Sequence, residues 1–174
     1  MSKGSALIVG AGDAIGAAIL KRFSRAGYNT VGVRRNPEKI ASVITELKEE
    51  GLKAMALKCD ARKEDEIINL FSKIETEVAP LEVVVFNVGA NVPMTILETP
   101  TKKFYKIWEM ACLGGFLTGR EAAKYLVPRK KGTIIFTGAT ASLRGAAGFG
   151  AFASAKSGLR AVAQSLAREI MPQG

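Results

Sequence analysis

Short apolar runs alternate along this chain with longer stretches in which apolar residues recur every three or four positions. The runs are ALIVG (6–10), TVGV (30–33), LKAMALK (52–58), LEVVVF (81–86) and GTIIFTG (132–138). They are too short for helices and rich in Val and Ile, as strands buried on both faces are. Between them lie amphipathic stretches at 15–26, 37–50, 64–78, 101–126 and 150–171, each of which predicts a helix. Strand–helix alternation at this spacing implies right-handed crossovers and a doubly wound parallel sheet, a three-layer α/β/α arrangement. No repeat, low-complexity tract or linker interrupts it, so a single domain over 1–174 is expected.

Composition narrows the chemistry. Hydrophobic residues make up 48% of the 174 positions, enough for one proper core. Histidine is absent, which removes imidazole acid–base mechanisms, serine–histidine triads and the commonest metal ligand, and no metal site is expected. The two cysteines, Cys59 and Cys112, lack metal-binding spacing and read as reduced, packed thiols. No apolar run approaches a membrane span, and the opening MSKGSALIVGAG does not read as a signal peptide. A cytoplasmic protein without a membrane partner is expected. The formal charge of +9 suits an anionic ligand, although solvated surface lysines explain it as readily.

In open parallel sheets, ligands collect beyond the carboxyl ends of the strands. The segments after Val9, Val33, Lys58, Phe86 and Thr137 should therefore share the functional edge. The first is VGAGDAIG, in which Gly10, Gly12 and Gly16, with Asp13 and Ile15 between, open a helix. Glycines there permit a tight turn and close approach to a pyrophosphate, beside free N–H groups at a positive helix end. The spacing is one residue longer than the GxGxxG fingerprint, and no Gly-Lys-Ser/Thr follows as in a P-loop. A branched side chain at Gly12 or Gly16 should abolish dinucleotide binding and leave the fold intact. The second strand ends in VRRN, where an acidic residue would hold a free ribose hydroxyl and arginine would hold a 2′-phosphate. Arg34 and Arg35 thus favour NADP(H) over NAD(H), the alternative being two solvated arginines. Asp60, followed by Ala61, is placed either to accept from an adenine amino group or to cap the next helix. Asn87 and Gly89 in FNVGAN fit close approach to a ribose or an ordinary turn.

Together these loops resemble the short-chain dehydrogenase/reductase family along essentially the whole chain. VGAGDAIG is similar to that family's TGxxxGIG loop, with Val9 for Thr and Ala14 for the middle Gly; NVG at 87–89 resembles its NNAG motif; Lys156 falls on the lysine of YxxxK. The resemblance implies a Rossmann fold, a nicotinamide cofactor and hydride transfer between an alcohol and a carbonyl, with Lys156 lowering the pKa of a tyrosine and holding the nicotinamide ribose. It also implies further strands and a substrate-binding segment beyond the fifth strand. That strand is expected to form an exposed edge, in a truncated product or under another chain.

The catalytic pattern breaks at three positions. The family's tyrosine is Phe152, its serine aligns with Ala139 in IIFTGATAS, and its asparagine aligns with Ala111 in EMACLGGFL. Losing the phenol removes a general acid worth ~10²–10⁴-fold. Of the tyrosines, only Tyr105 is expected near the functional edge, and Thr140 and Ser142 are the nearby hydroxyls. The expectation is an NADP(H)-binding oxidoreductase-type protein with weak, altered or lost carbonyl reductase activity. The alternative is a non-catalytic dinucleotide-sensing or interaction module, and self-association through the helices at 101–126 and 150–171 fits both readings. A nucleic-acid partner is disfavoured, because PRKKG (128–132) precedes the fifth strand, on the edge opposite the cofactor, and lacks interleaved aromatics. The small-molecule substrate is not legible.

Overall fold

The computed structural model describes residues 3–89 and 91–173. Five parallel strands form one sheet: β1 (Ser5–Val9), β2 (Asn29–Arg34), β3 (Ala54–Lys58), β4 (Leu81–Phe86) and β5 (Thr133–Phe136), in the order β3-β2-β1-β4-β5. The helices are α1 (Ile15–Arg25), α2 (Ala41–Glu49), α3 (Glu64–Glu77), α4 (Thr101–Trp108), α5 (Gly114–Arg129) and α6 (Gly150–Ile170). The order reverses at β1, where crossovers that had wound one way resume on the other side, so the doubly wound α/β sheet read from the sequence is the observed fold.

Alternation along the strands divides the core between two faces. Leu7, Val9, Val31, Val33, Val84 and Phe86 point to one side, against Ile67, Leu70, Phe71 and Ile74 of α3, Leu117, Ala122 and Leu126 of α5, and Leu159 of α6. Ala6, Ile8, Val83 and Val85 point to the other, against Leu20 of α1 and Ile44 and Leu47 of α2. Each fully buried Leu, Ile or Phe contributes roughly 1.5–3 kcal/mol relative to exposure, so hydrophobic burial is the main force closing the layers. Among the described residues, no helix is long and apolar enough to cross a membrane.

Three local departures from the sequence pattern have physical causes. The stretch 37–50 divides into a 3₁₀ turn, Pro37–Ile40, and α2, because Asn36 caps early by accepting from the Glu38 N–H at 3.1 Å. The stretch expected over 101–126 continues to Arg129 and contains a π-helical turn, Glu109–Leu113, between α4 and α5. It ends through Lys130, whose φ of 52° is left-handed and stops further helical bonding. The last strand is shorter than its apolar run, since Thr137 leaves the ladder after its N–H bonds the Phe86 carbonyl at 2.9 Å. As expected, β5 is an edge strand, and its Ile135 is 40% exposed.

The register makes the carboxyl ends of the strands level. Val9 lies opposite both Val33 and Phe86, Arg34 opposite Lys58, and Phe86 opposite Phe136. The segments that follow them therefore emerge side by side.

The tightest point in the core is where α5 passes α6. A Cβ on Gly115 would lie 2.2 Å from Leu159 Cδ1 and 3.1 Å from the Phe86 ring, and both partners are fully buried. Gly115→Val should therefore destabilise the domain by about 1–3 kcal/mol through overpacking, read as a lower urea midpoint at unchanged slope. An unchanged midpoint would show that this crossing has slack.

Candidate functional site

A cleft of about 740 Å³ opens at the level strand ends, lined by Gly10 to Gly16, Arg34, Arg35, Asn36, Lys39, Asn87, Val88 and Gly89. Backbone constraint shapes it. Gly10 has φ of +86°, and a Cβ there would lie 2.8 Å from the Asn87 carbonyl carbon. Asn87 fixes this approach by donating its N–H to the Val9 carbonyl at 2.7 Å and its Nδ2 to the Gly10 carbonyl at 3.1 Å. Gly12 and Gly89 differ from Gly10: a Cβ at either would enter open space. Gly16 differs again, since its Cβ would meet Ala11 Cα at 2.6 Å, where α1 crosses back over its own entry loop. The two outer glycines of the loop thus serve packing, and only Gly12 leaves space for something outside the protein. That contact with backbone counts against the sequence expectation that a branched residue at Gly16 leaves the fold intact.

The electrostatics of the cleft are those of an anion site. Among the described residues no side chain caps α1, and its first turn holds no acid; the Ala17 N–H is taken by the Gly12 carbonyl at 2.8 Å, which leaves those of Ile15 and Gly16 at the cleft. Arg34 donates from Nη1 to Asp13 Oδ1 at 2.7 Å and reaches the Ala11 carbonyl at 3.4 Å, tying the glycine loop to the end of β2. Ile15 lines the same cleft and is 61% exposed. Arg35 and Lys39 are exposed and make no ion pair among the described residues. Lys39 escaped the sequence reading, because only the early 3₁₀ turn after Asn36 brings it to the strand ends.

A smaller hollow of about 150 Å³ continues from the cleft and is lined by Arg34, Arg35, Cys59, Asp60, Ala61, Arg62 and Met110, among others. Asp60 does not cap α3, whose N-cap is Lys63. Its carboxylate instead accepts from Arg62 Nε at 2.9 Å and from the Arg62 N–H at 3.2 Å. The Arg62 guanidinium holds the Asp60 carboxyl below the usual carboxylate range against the opposing effect of burial. Burial, with Glu66 and Asp60 nearby, pushes the Cys59 thiol up to about 12, so it is an inert wall.

Lys156 is 3% exposed and is not a solvated helix lysine. Its Nζ donates to the carbonyls of Val88 at 3.0 Å and Thr137 at 2.8 Å. Burial lowers its pKa. Lys156 lines neither the cleft nor the hollow directly, but it anchors the wall that Val88 contributes to both.

Beside these lies a second cleft of about 560 Å³, lined by Asn91, Ala139, Thr140, Ala141, Arg144, Gly145, Ala146, Phe149 and Phe152. Its loops are stitched together where the Met94 N–H bonds the Gly148 carbonyl at 2.7 Å. Phe152 and Ala139 therefore face one space, whereas Ala111 is fully buried in an apolar cluster with Ile107, Cys112, Ala151 and Ala155, against which Phe152 packs. Ala111 and Phe152 thus share one apolar cluster. The π turn that carries Ala111 places one extra residue in the helix at this point.

The other hydroxyls are engaged or distant. Tyr105 is 61% exposed and lines a different hollow, with Ile96, Phe104 and Ala151. Tyr28 packs edge-on against Phe23, and Tyr125 stacks on Phe71. Ser142 donates to the Ala139 carbonyl at 2.7 Å, leaving Thr140 as the hydroxyl residue on the second cleft.

A dinucleotide fits the first cleft: open space at Gly12 and Gly89, an uncapped helix end and three cations meet there. Comparison with known proteins agrees. The sequence profile of the family described as short chain dehydrogenase matches residues 5–174. A 2-dehydro-3-deoxy-D-gluconate 5-dehydrogenase of Formosa agariphila is 33% identical over 94% of this chain and 62% of its own length. A 2,3-dihydro-2,3-dihydroxybenzoate dehydrogenase of Bacillus subtilis is 30% identical over 87% of this chain and 58% of its own. The chain therefore spans about three fifths of the length of these curated relatives. The structure of a short-chain dehydrogenase from Rhodopseudomonas palustris superposes with a TM-score of 0.94 at 52% identity, over 98% of this chain and 80% of that one. With the glycine loop, the level strand ends and the buried lysine in these positions, the chain belongs to the short-chain dehydrogenase/reductase family of NAD(P)-binding oxidoreductases.

Proposed function

We propose that this chain binds NADP(H) in preference to NAD(H) and has lost the family's usual route of carbonyl reduction. The observation that carries the cofactor reading is the pair Arg35 and Lys39, which make no ion pair among the described residues, beside Arg34, whose guanidinium is held by Asp13. Gly12, with Asp13 and Ile15, would hold the pyrophosphate on a turn that Gly10 and Gly16 shape by packing, Arg35 and Lys39 the 2′-phosphate, the hollow at Asp60 and Ala61 the adenine, and Asn87 and Gly89 the ribose. The bound cofactor supplies a hydride; everything else in the reaction falls to the protein. Lys156, with two of its three donors on Val88 and Thr137, would hold in place the Val88 wall against which the nicotinamide ribose lies.

Altered chemistry is supported by what surrounds the substituted positions. Phe152 and Ala139 offer neither proton nor hydrogen bond to the second cleft, and Ala111 lies in a dry cluster with no polar relay. A non-catalytic sensing module is the second reading, favoured by that same cluster, because its parts pack together as an apolar unit. Self-association through the 101–129 and 150–170 helices belongs to the proposal, supported by the exposed rings of Phe104, Tyr105, Trp108 and Phe116.

Calorimetric titration should show NADPH binding at least about tenfold tighter than NADH, the scale of one charge-assisted hydrogen bond. Replacing Arg35 and Lys39 together by Ala should erase the difference, and equal affinities in the unmodified protein would refute the preference.

Gly12→Val and Gly16→Val should separate. The first should retain the unfolding midpoint and lose measurable dinucleotide binding, because its side chain occupies the cleft. The second should lower stability by about 1–3 kcal/mol or more, because its Cβ meets backbone. Normal NADPH binding by Gly12→Val would remove the glycine loop from the site.

With saturating NADPH, turnover of simple ketones should be close to background. Phe152→Tyr alone should raise it by less than about tenfold, and Phe152→Tyr with Ala139→Ser by about 10²-fold or more, since acid and carbonyl anchor act as a unit. Robust ketone reduction by the unmodified protein, insensitive to Lys156→Ala, would show that the chemistry lies elsewhere.

A further inference from the structure

The second cleft carries a charge pattern that neither the family nor the cofactor accounts for. Among the described residues, Arg144 is the only ionisable one in its lining, and no acid lines it. Among the described residues its guanidinium makes no hydrogen bond or ion pair; only its main-chain N–H is used, bonded to the Thr140 carbonyl at 3.2 Å. The remaining lining is flat or small: the rings of Phe149 and Phe152, and Ala139, Ala141, Gly145 and Ala146. Asn91 and Thr140 add neutral polar groups at the margin. At about 560 Å³ the space lies in the range of small-molecule sites.

We infer that this cleft binds a small monocarboxylic acid with a planar apolar body, the carboxylate on Arg144 and the body against Phe149 and Phe152. A guanidinium fork matches a carboxylate with two parallel donors, which an amide or alcohol of the same shape cannot use. An exposed ion pair alone is weak in water. Here the apolar body supplies affinity and Arg144 supplies discrimination. Replacement of the family's phenol by Phe152 fits this division, because a ring without a hydroxyl contributes stacking area and no competing donor. That this acid is the substrate rests on the proposed function; that it binds rests on the lining alone.

The test uses three acids, trans-cinnamate, 2-naphthoate and 4-methylbenzoate, each against its own primary amide, by calorimetry or saturation-transfer NMR. At least one acid should bind about tenfold tighter than its amide, the loss expected for one charge-assisted hydrogen-bonding partner. Arg144→Gln should bring acid and amide together, Arg144→Lys should retain part of the preference, and Ala146→Trp should exclude both by filling the cleft. Arg144 and Ala146 are exposed loop residues, and an unchanged urea midpoint verifies that the variants fold. No preference for any acid over its amide, or a preference that survives Arg144→Gln, would overturn the inference. NADPH titrated into the same samples keeps the two readings apart. Cofactor binding without acid binding sinks only this inference, and acid binding without cofactor binding sinks only the cofactor assignment.

Discussion

Between the carbonyls of Val88 and Thr137 sits an ammonium group with almost no access to water, and both clefts are arranged around it. Burying a cation is costly, so Lys156 is tolerated only because two main-chain oxygens from different loops converge on it. That convergence ties α6 to the loops after β4 and β5, which the sheet sets side by side. Val88 then forms a wall of the cofactor cleft, and Ala139 and Phe152 come to face one space beside it. The lysine therefore has work to do even where no tyrosine stands beside it. Its retention alongside Phe152 is understandable as architecture, whatever chemistry the site performs.

The surface charges divide according to the same geometry. Arg129 and Lys131, from the most basic stretch of the sequence, are spent on Glu75 and Glu82, tying the end of α5 to α3 and β4. Lys21 and Arg25 likewise join α1 to α2 through Glu46 and Glu50. Arg35, Lys39 and Arg144 make no such bridges among the described residues, and all three line clefts at the carboxyl edge. A net charge of +9 says little by itself. Arg22, Lys102 and Lys106 also make no ion pair among the described residues, so it is position on a cleft that sets Arg35, Lys39 and Arg144 apart.

How far the sequence could be read follows from which interactions are local. Val- and Ile-rich runs specify strands through their own burial, so all five strands and their common edge were visible, as were the glycine loop and the pair of arginines after β2. What escaped depends on contacts between distant segments. Lys156 was legible as a residue of the functional edge, but that its ammonium bridges the carbonyls of Val88 and Thr137 was not. Gly12 and Gly16 look alike in a motif, but Ala11 lies against only one of them. Asp60 appeared suited to capping α3, and Arg62, two residues away, takes its carboxylate instead. Lys39 and Arg144 belong to short turns whose direction no periodicity records.

The π turn at Glu109–Leu113 also fixes how the long helix meets its neighbours. Each helical residue advances the chain by about 100° around the axis, so one additional residue in a single turn rotates everything after it by that amount. With the extra residue, Leu117, Ala122 and Leu126 face the sheet, while Phe116 and Lys124 face outward. Deleting any one residue from Glu109 to Leu113 would restore ordinary helical winding there and swing the apolar stripe of α5 away from the core. The surplus residue thus acts as a phase offset, letting α4 follow α6 while α5 follows the sheet. Ala111 can be exchanged for another residue without disturbing this offset, but the turn itself cannot be lost without re-phasing the whole of α5.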